Sequence, residues 1–289
     1  MKSFVMVAAG AALWGCWSLF LRPAGLSGPQ SAWLSMLFMA LPAPFVLRRE
    51  AFRDRRATVA LGVLAVCDAA NAALFFAAIQ RGPVAVAVLT HYLAPLFIAL
   101  AAPVLIGERR SMRAVVGAPL TLAGLALLLG AAPGGFSDPR TALLGGASAL
   151  FFMANVLAIK EAGRAFSPLA ISALHAPLSA GVLLLAFGHD VLPPALDARV
   201  LWVGGGALLC GLVGNSVFTA GLRQVPAASA AALTYLEPLT AALVGWLVFG
   251  ERLGAPGLLG GVLVLVAGVW VASEARGSPR PAPLAPEAG

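Results

Sequence analysis

The chain has 289 residues, of which 60% are apolar and only 11% charged, and its mean hydropathy is +0.92. Average soluble domains carry about 25% charged residues, so most of this chain cannot face water, which excludes a secreted disulfide scaffold, a nucleic-acid-binding domain and an ordinary cytosolic enzyme. The net charge of +7 falls in short gaps between apolar runs, where it reads as an orientation signal rather than a binding patch.

The first apolar run follows Lys2. A signal peptide with a lipoprotein-like box at Leu13-Trp14-Gly15-Cys16 is disfavoured by the bulk of Trp14. The run also continues through Trp17-Ser18-Leu19-Phe20-Leu21, so a retained first span is expected. A spanning helix needs about 20 mostly apolar residues. Breaks at charged residues, Pro and Gly then predict ten spans, at 3–21, 29–47, 57–79, 83–106, 112–130, 141–159, 168–188, 199–221, 227–249 and 256–273. The Pro- and Ala-rich stretch 274–289 has nothing to bury and is expected to be a disordered cytoplasmic tail. Cys16, Cys67 and Cys210 all lie inside apolar runs and support neither a disulfide framework nor a metal site.

With the N-terminus inside, the cytoplasmic gaps hold Lys2, Arg48, Arg49, Arg53, Arg55, Arg56, Arg109, Arg110, Arg113, Lys160, Arg164, Arg223, Arg276 and Arg280. The outer gaps hold Arg22, Arg81, Arg140, Arg199 and Arg252. This excess predicts that both termini are cytoplasmic, as an even number of spans requires.

An internal repeat runs through the chain. Tyr92-Leu93-Ala94-Pro95-Leu96 returns as Tyr235-Leu236-Glu237-Pro238-Leu239, 143 residues later, and Gly107-Glu108-Arg109 returns at the same offset as Gly250-Glu251-Arg252. Pro83 and Pro226, Cys67 and Cys210, and Phe75 and Phe218 keep that offset without a gap. The shift carries span four onto span nine. Five spans is an odd number, so the copies are expected to run in opposite directions through the bilayer, the architecture of alternating-access transporters with a midplane site between the halves. The expected fold class is an all-α polytopic membrane protein, ten transmembrane helices as two inverted five-helix repeats, with units at 1–135 and 136–273.

On Leu13-Trp14-Gly15, the Pro95 and Pro238 spans and the two Gly-Glu-Arg ends, the chain resembles the drug/metabolite transporter superfamily, in its ten-span EamA-type branch. The resemblance covers nearly the whole chain except the tail. It implies export of amino acids and other small metabolites, with relatives that carry sugar phosphates or nucleotide sugars. The shared motifs are structural, so it assigns no substrate-contact residue.

Ionisable residues inside a span cost at least about 2.5–3.5 kcal/mol on insertion scales and need a reason. Two acids lie deep, Asp68 in span three and Glu237 in span nine. Glu237 precedes Pro238, whose missing N–H is expected to free the Thr234 carbonyl; Thr234, Glu237 and Thr240 form one polar stripe. Its repeat partner is Ala94, so the scaffold does not require a carboxyl there. The functional reading is a group that exchanges a proton for a substrate amine. The other reading is a protonated structural Glu.

Asp68 shares a face with Asn71 and Phe75 and aligns with Gly211; it reads as a coupling carboxylate or as a partner in an interhelical hydrogen bond. Tyr92 and Tyr235 either line a cavity or brace the two proline kinks. His91 reads as a proton-sensitive ligand or a structural histidine, and His175 carries less weight still. Asn155 with Ser148, and Asn215 with Thr219, read as cavity-lining residues or helix–helix contacts. Trp14 and Trp17, on one face with Ser18, read as a stacking platform for a cationic or apolar substrate or as core. The Gly-Glu-Arg ends read as helix terminators.

No Lys or Arg lies deep in a span, which argues against phosphate or nucleotide cargo, and no Walker loop, His-Glu-x-x-His or Gly-x-Ser-x-Gly motif is present. The expectation is a secondary active transporter rather than an enzyme. It is expected to be a proton-coupled exporter of small metabolites such as amino acids in a bacterial inner membrane, as monomer or homodimer, without cofactor, metal or nucleic acid. A flippase for a lipid or lipid-linked sugar, and more remotely an intramembrane enzyme, are the alternatives.

Overall fold

In lipid every backbone N–H and C=O has to be satisfied inside the chain, and the apolar runs answer this by coiling. The computed structural model describes residues 1–81, 84–130, 139–251 and 254–274, and no strand is present among the described residues. In chain order the α-helices are α1 (Lys2–Gly15), α2 (Ser18–Ala24), α3 (Gly28–Met39), α4 (Ala43–Val46), α5 (Arg55–Arg81), α6 (Val84–His91), α7 (Ala94–Leu105) and α8 (Met112–Leu128). They continue with α9 (Pro139–Ala162), α10 (Pro168–Leu174), α11 (Ala176–Phe187), α12 (Ala198–Gly206), α13 (Gly214–Leu222), α14 (Ala227–Leu233), α15 (Leu236–Phe249) and α16 (Ala255–Glu274). A π-helical stretch, Ala207–Val213, joins α12 to α13. Short 3-10 turns lie at Arg49–Arg53 and Gly188–Val191.

Among the described residues, seven helical segments are long and apolar enough to cross a bilayer: Lys2–Ala24, Arg55–Ile79, Val84–Leu105, Pro139–Ala162, Pro168–Val191, Ala198–Leu222 and Ala227–Phe249. Met112–Leu128 and Ala255–Val271 are shorter apolar helices. The protein is therefore an integral membrane protein. Over the predicted span 29–47 the chain forms α3 and α4, with a turn at Ala40–Pro42 between them. The expected tail lies, beyond Glu274, outside the described residues, as do Pro83 and Arg252.

Local chemistry sets the helix starts. Ser27 and Gln30 form a reciprocal capping box on α3, whose first turn contains Pro29. Ser111 and Ser167 accept from the amides of Ala114 and Ala170 at the starts of α8 and α10. Asp197 caps α12, and hydrogen bonds from Arg199 hold its carboxyl below the ordinary carboxylate range. At the other end of helices, Gly107 and Gly250, the repeat-related glycines of the Gly-Glu-Arg motifs, share the same left-handed φ of 69° just past α7 and α15. A side chain at that φ is strained, which is why glycine terminates both helices.

Small residues let helices approach closely, the usual substitute for hydrophobic driving force in lipid. α8 packs along α16 at Gly124 and Gly260. A Cβ on Gly124 would lie 2.8 Å from the Gly260 carbonyl, and one on Gly260 would lie 2.6 Å from the Leu128 amide. Both contacts are backbone, so nothing can swing aside. Gly124→Val is expected to lower stability by about 1–3 kcal/mol, read as a fall in the thermal unfolding temperature of purified protein. Gly62→Val, where a Cβ meets nothing within 4 Å, serves as the control.

The predicted spans one, four, seven and nine break where they meet the polar interior. α6 gives way to α7 at Tyr92-Leu93, α10 to α11 at His175, and α14 to α15 at Thr234-Tyr235. Pro95, Pro177 and Pro238 follow these last three breaks and remove the amide that the preceding turn would have used. The sequence predicts a free Thr234 carbonyl, but the Glu237 amide takes it at 2.9 Å in a tighter turn.

Candidate functional site

The break between α14 and α15 presents Glu237 in the first turn of α15, half-buried. Tyr92, at the break between α6 and α7, directs its hydroxyl at the Glu237 carboxyl group. Tyr235 stacks on Tyr92 with ring centroids 5.6 Å apart, and its hydroxyl donates to the Tyr92 carbonyl at 2.9 Å. The two tyrosines related by the 143-residue offset thus touch one another. Tyr235 braces the Tyr92 turn, while Tyr92 also serves the carboxyl group.

His91 continues this cluster. Its ring lies 4.5 Å from Phe75 and 5.5 Å from Phe152, and edge-on to Tyr92. Its Nδ1 is 2.9 Å from the Ser148 hydroxyl, which itself donates to the Gly145 carbonyl at 2.7 Å. A hydroxyl has one proton to give. Ser148 has given it away, so His91 Nδ1 is the donor and Nε2 is left as an acceptor.

Asp68, on α5, forms a second cluster. The Asn155 amide donates to Oδ1 at 3.2 Å, and His175 Nε2 stands 3.4 Å from Oδ2. The Asn155 carbonyl oxygen is buried without a hydrogen-bond partner among the described residues, and so is that of Asn71, one turn along α5. The clusters share two helices. Ser148, Phe152 and Asn155 follow one face of α9, while Asp68 and Phe75 follow one face of α5. One end of this α5–α9 seam holds His91 and the other holds Asp68.

The remaining candidates spread out. Trp14 packs against Phe218 at 4.6 Å and Phe152 at 6.5 Å, with its indole N–H buried and unpartnered among the described residues. Trp17 packs instead with Met39 beside the π-helical stretch, close to Gly206 and Gly211. A turn at Cys16-Trp17 lies between them, and both rings lie against the run from Gly206 to Phe218, Trp17 beside Gly211 and Trp14 beside Gly214. Asn215 is half-buried on α13, next to Gly214, whose backbone abuts Trp14.

One further contact joins distant parts of the chain. The Glu108 carboxylate pairs with Lys160 at the end of α9 through Oε1 and accepts from the Ala227 amide at the start of α14 at 2.7 Å through Oε2.

The model of the EamA-like transporter family matches residues 1–130 and again residues 140–273. The chain belongs to the EamA-like transporter family. Over 271 residues it is 33% identical to an uncharacterized transporter of Archaeoglobus fulgidus, covering 92% of this chain and 94% of that one. It is 29% identical over 216 residues to the uncharacterized transporter YwfM of Bacillus subtilis, covering 73% and 72% of the two chains. A crystal structure with 21% sequence identity superposes with a TM-score of 0.78 over 95% of this chain and 97% of the other, and so shares its fold.

The protein is thus a membrane transporter, with two polar clusters, one along the α5–α9 seam and one at the Tyr92–Glu237 break. Two members of the site carried little weight in sequence. His175 lies 107 positions from Asp68 and reaches it only through packing of α11 on α5. Its position two residues before Pro177, at a helix break like Tyr92 and Tyr235, was the available signal. Phe152 had no signal, since an aromatic in an apolar span is ordinary core.

Proposed function

We propose that this EamA protein is a secondary active transporter, a proton-coupled exporter of small zwitterionic or cationic metabolites such as amino acids. Two inverted five-helix units, at about residues 1–135 and 136–273, rock against one another and expose a central site to alternate sides. The protein lies in a bacterial inner membrane with both termini cytoplasmic, the orientation the basic residues favour.

The observation that carries this reading is a lone carboxyl at a broken helix. Glu237 stands beside repeat-related tyrosines in mutual contact, while the equivalent position in the other half is Ala94. A scaffold that builds both halves alike has no use for a charge in one of them; a ligand does. The carboxylate attracts a substrate ammonium or a proton, and Tyr92 supplies a hydroxyl that follows whichever is bound. The Trp14–Phe152–Phe218 rings offer an apolar and cation-accepting surface nearby along α1, α9 and α13.

Flux into liposomes containing the purified protein, under an imposed pH gradient and with a panel of labelled amino acids and small amines, tests the proposal. Accumulation of a few zwitterionic or cationic compounds only when the gradient is present is the expected result. Movement of a fluorescent lipid analogue with no response to any soluble compound would replace it with the flippase reading.

A further inference from the structure

His175 is held between two acceptors. Its Nδ1 is 2.7 Å from the carbonyl of Ile171, one turn back on α10, and a carbonyl can only accept, so Nδ1 carries a proton. The other ring nitrogen, Nε2, is 3.4 Å from Asp68 Oδ2. In neutral imidazole with Nδ1 protonated, Nε2 is a lone pair, and a lone pair facing a carboxylate oxygen is repelled. His175 is 3% exposed, so solvent does not relieve that repulsion. One additional proton removes it, either on Nε2 facing the carboxylate or on the carboxyl group facing the nitrogen.

The surroundings fix the pair without neutralising it. The Asn155 amide donates to Asp68 Oδ1, which leaves Oδ2 for the histidine. Ser179, one turn after His175, donates to the Ala65 carbonyl at 2.9 Å and ties α11 to α5 just before Asp68. The elements packed against the pair bring few charged groups near it. On α5 the neighbour of Asp68 is the Cys67 thiol, and Arg55, Arg56 and Arg81 lie at the ends of that helix. α9 has no charged residue between Arg140 and Lys160, and α6 supplies His91, already bound to Ser148. α3, α4, α10, α11 and α13 carry no other ionisable side chain, and the π-helical stretch carries only Cys210. The 3-10 turns hold Arg49, Glu50 and Arg53 beyond the start of α5, and His189 and Asp190 beyond the end of α11. Among the described residues, the positive countercharge facing Asp68 is the one that a proton on His175 creates.

We infer that Asp68 and His175 form a proton-binding site, one proton held between His175 Nε2 and Asp68 Oδ2, separate from Glu237. His175 is also the junction residue of α10 and α11. Rotation at that junction changes the distance between Nε2 and Oδ2, so proton occupancy and the α10–α11 angle are linked. Its role in driving flux rests on the transport reading above; its occupancy by a proton does not.

The test separates the two. Full-length protein in lipid nanodiscs, labelled with ¹⁵N-histidine, contains three histidines, which His175→Gln and His91→Gln assign. At neutral pH the wild type is expected to show either a protonated His175 Nε2 or an infrared band of a protonated carboxyl group that Asp68→Asn removes. In Asp68→Asn, His175 Nε2 is expected to be bare at the same pH, with the His91 resonances unmoved. A bare Nε2 in the wild type together with no Asp68-dependent carboxyl band would overturn the site. Flux is measured on the same samples. If the proton is present but both Asp68→Asn and His175→Gln retain the wild-type pH dependence, the coupling role fails and the binding site stands. If the wild type moves nothing under any gradient, the transport reading fails, while the spectroscopic result still decides the proton.

Discussion

Glu237→Gln is expected to remove gradient-driven flux while leaving the protein folded in the membrane. Glutamine keeps the volume of the side chain and a hydrogen-bonding oxygen for Tyr92, so the Tyr92–Tyr235 stack and the break before α15 have no reason to change. What it lacks is the ability to hold and release a proton, or to face a substrate ammonium with a full charge. Hydrogen bonds to charged groups contribute about 1.5–3 kcal/mol, so affinity for a cationic or zwitterionic compound should fall by roughly 10- to 150-fold. Flux in liposomes at matched protein content, with and without a pH gradient, provides the measurement. Tyr92→Phe removes the hydroxyl but not the charge and is expected to fall between wild type and Glu237→Gln. A Glu237→Gln protein that keeps the wild-type pH dependence would reduce Glu237 to a structural residue and leave Asp68 as the remaining deep carboxylate.

The same residues show what a sequence discloses in a membrane protein and what it hides. Helical segments were legible because lipid imposes one solution on each apolar run; among the described residues seven segments are long and apolar enough to span and two more are shorter apolar helices, while the predicted span 29–47 is broken by a turn. The breaks at Tyr92 and Tyr235 were legible because proline acts locally, through one missing amide. The turn at Ala40–Pro42 was not, since the apolar run passes straight through it. Side-chain pairing was the least legible. Asp68 could be named as costly, but its partners Asn155 and His175 come from other helices, and nothing local to Asp68 selects them.

Glu108 gives the second large expected effect, because it joins three helices that are distant in sequence. Its carboxylate ties together the ends of α7 and α9 and the start of α14, through Lys160 and the Ala227 amide. The side chains of Lys160 and Glu108 are only 13% and 15% exposed, so solvent cannot readily replace a lost partner. Across the 143-residue offset Glu108 corresponds to Glu251, and Ala227 to Val84. Glu251 does not reach the Val84 amide; it pairs with Arg22 at 2.6 Å, with both side chains about half exposed. Equivalent carboxylates therefore do different things at the two ends, one locked into a three-element junction and the other in a solvated pair. The two repeat-related carboxylates differ in how much structure depends on them. Truncating one partner of a buried charge pair costs about 3–5 kcal/mol, and partial exposure puts Glu108→Ala nearer about 2–3 kcal/mol. Hydrogen exchange at the Ala227, Ala228 and Ser229 amides should then quicken by roughly 30- to 150-fold. Glu251→Ala breaks an exposed pair of the kind that contributes about 0–1 kcal/mol, and exchange at the start of α6 should change by less than about fivefold. Equal loosening at the two ends would mean that the junction at Glu108 is an ordinary helix-end contact.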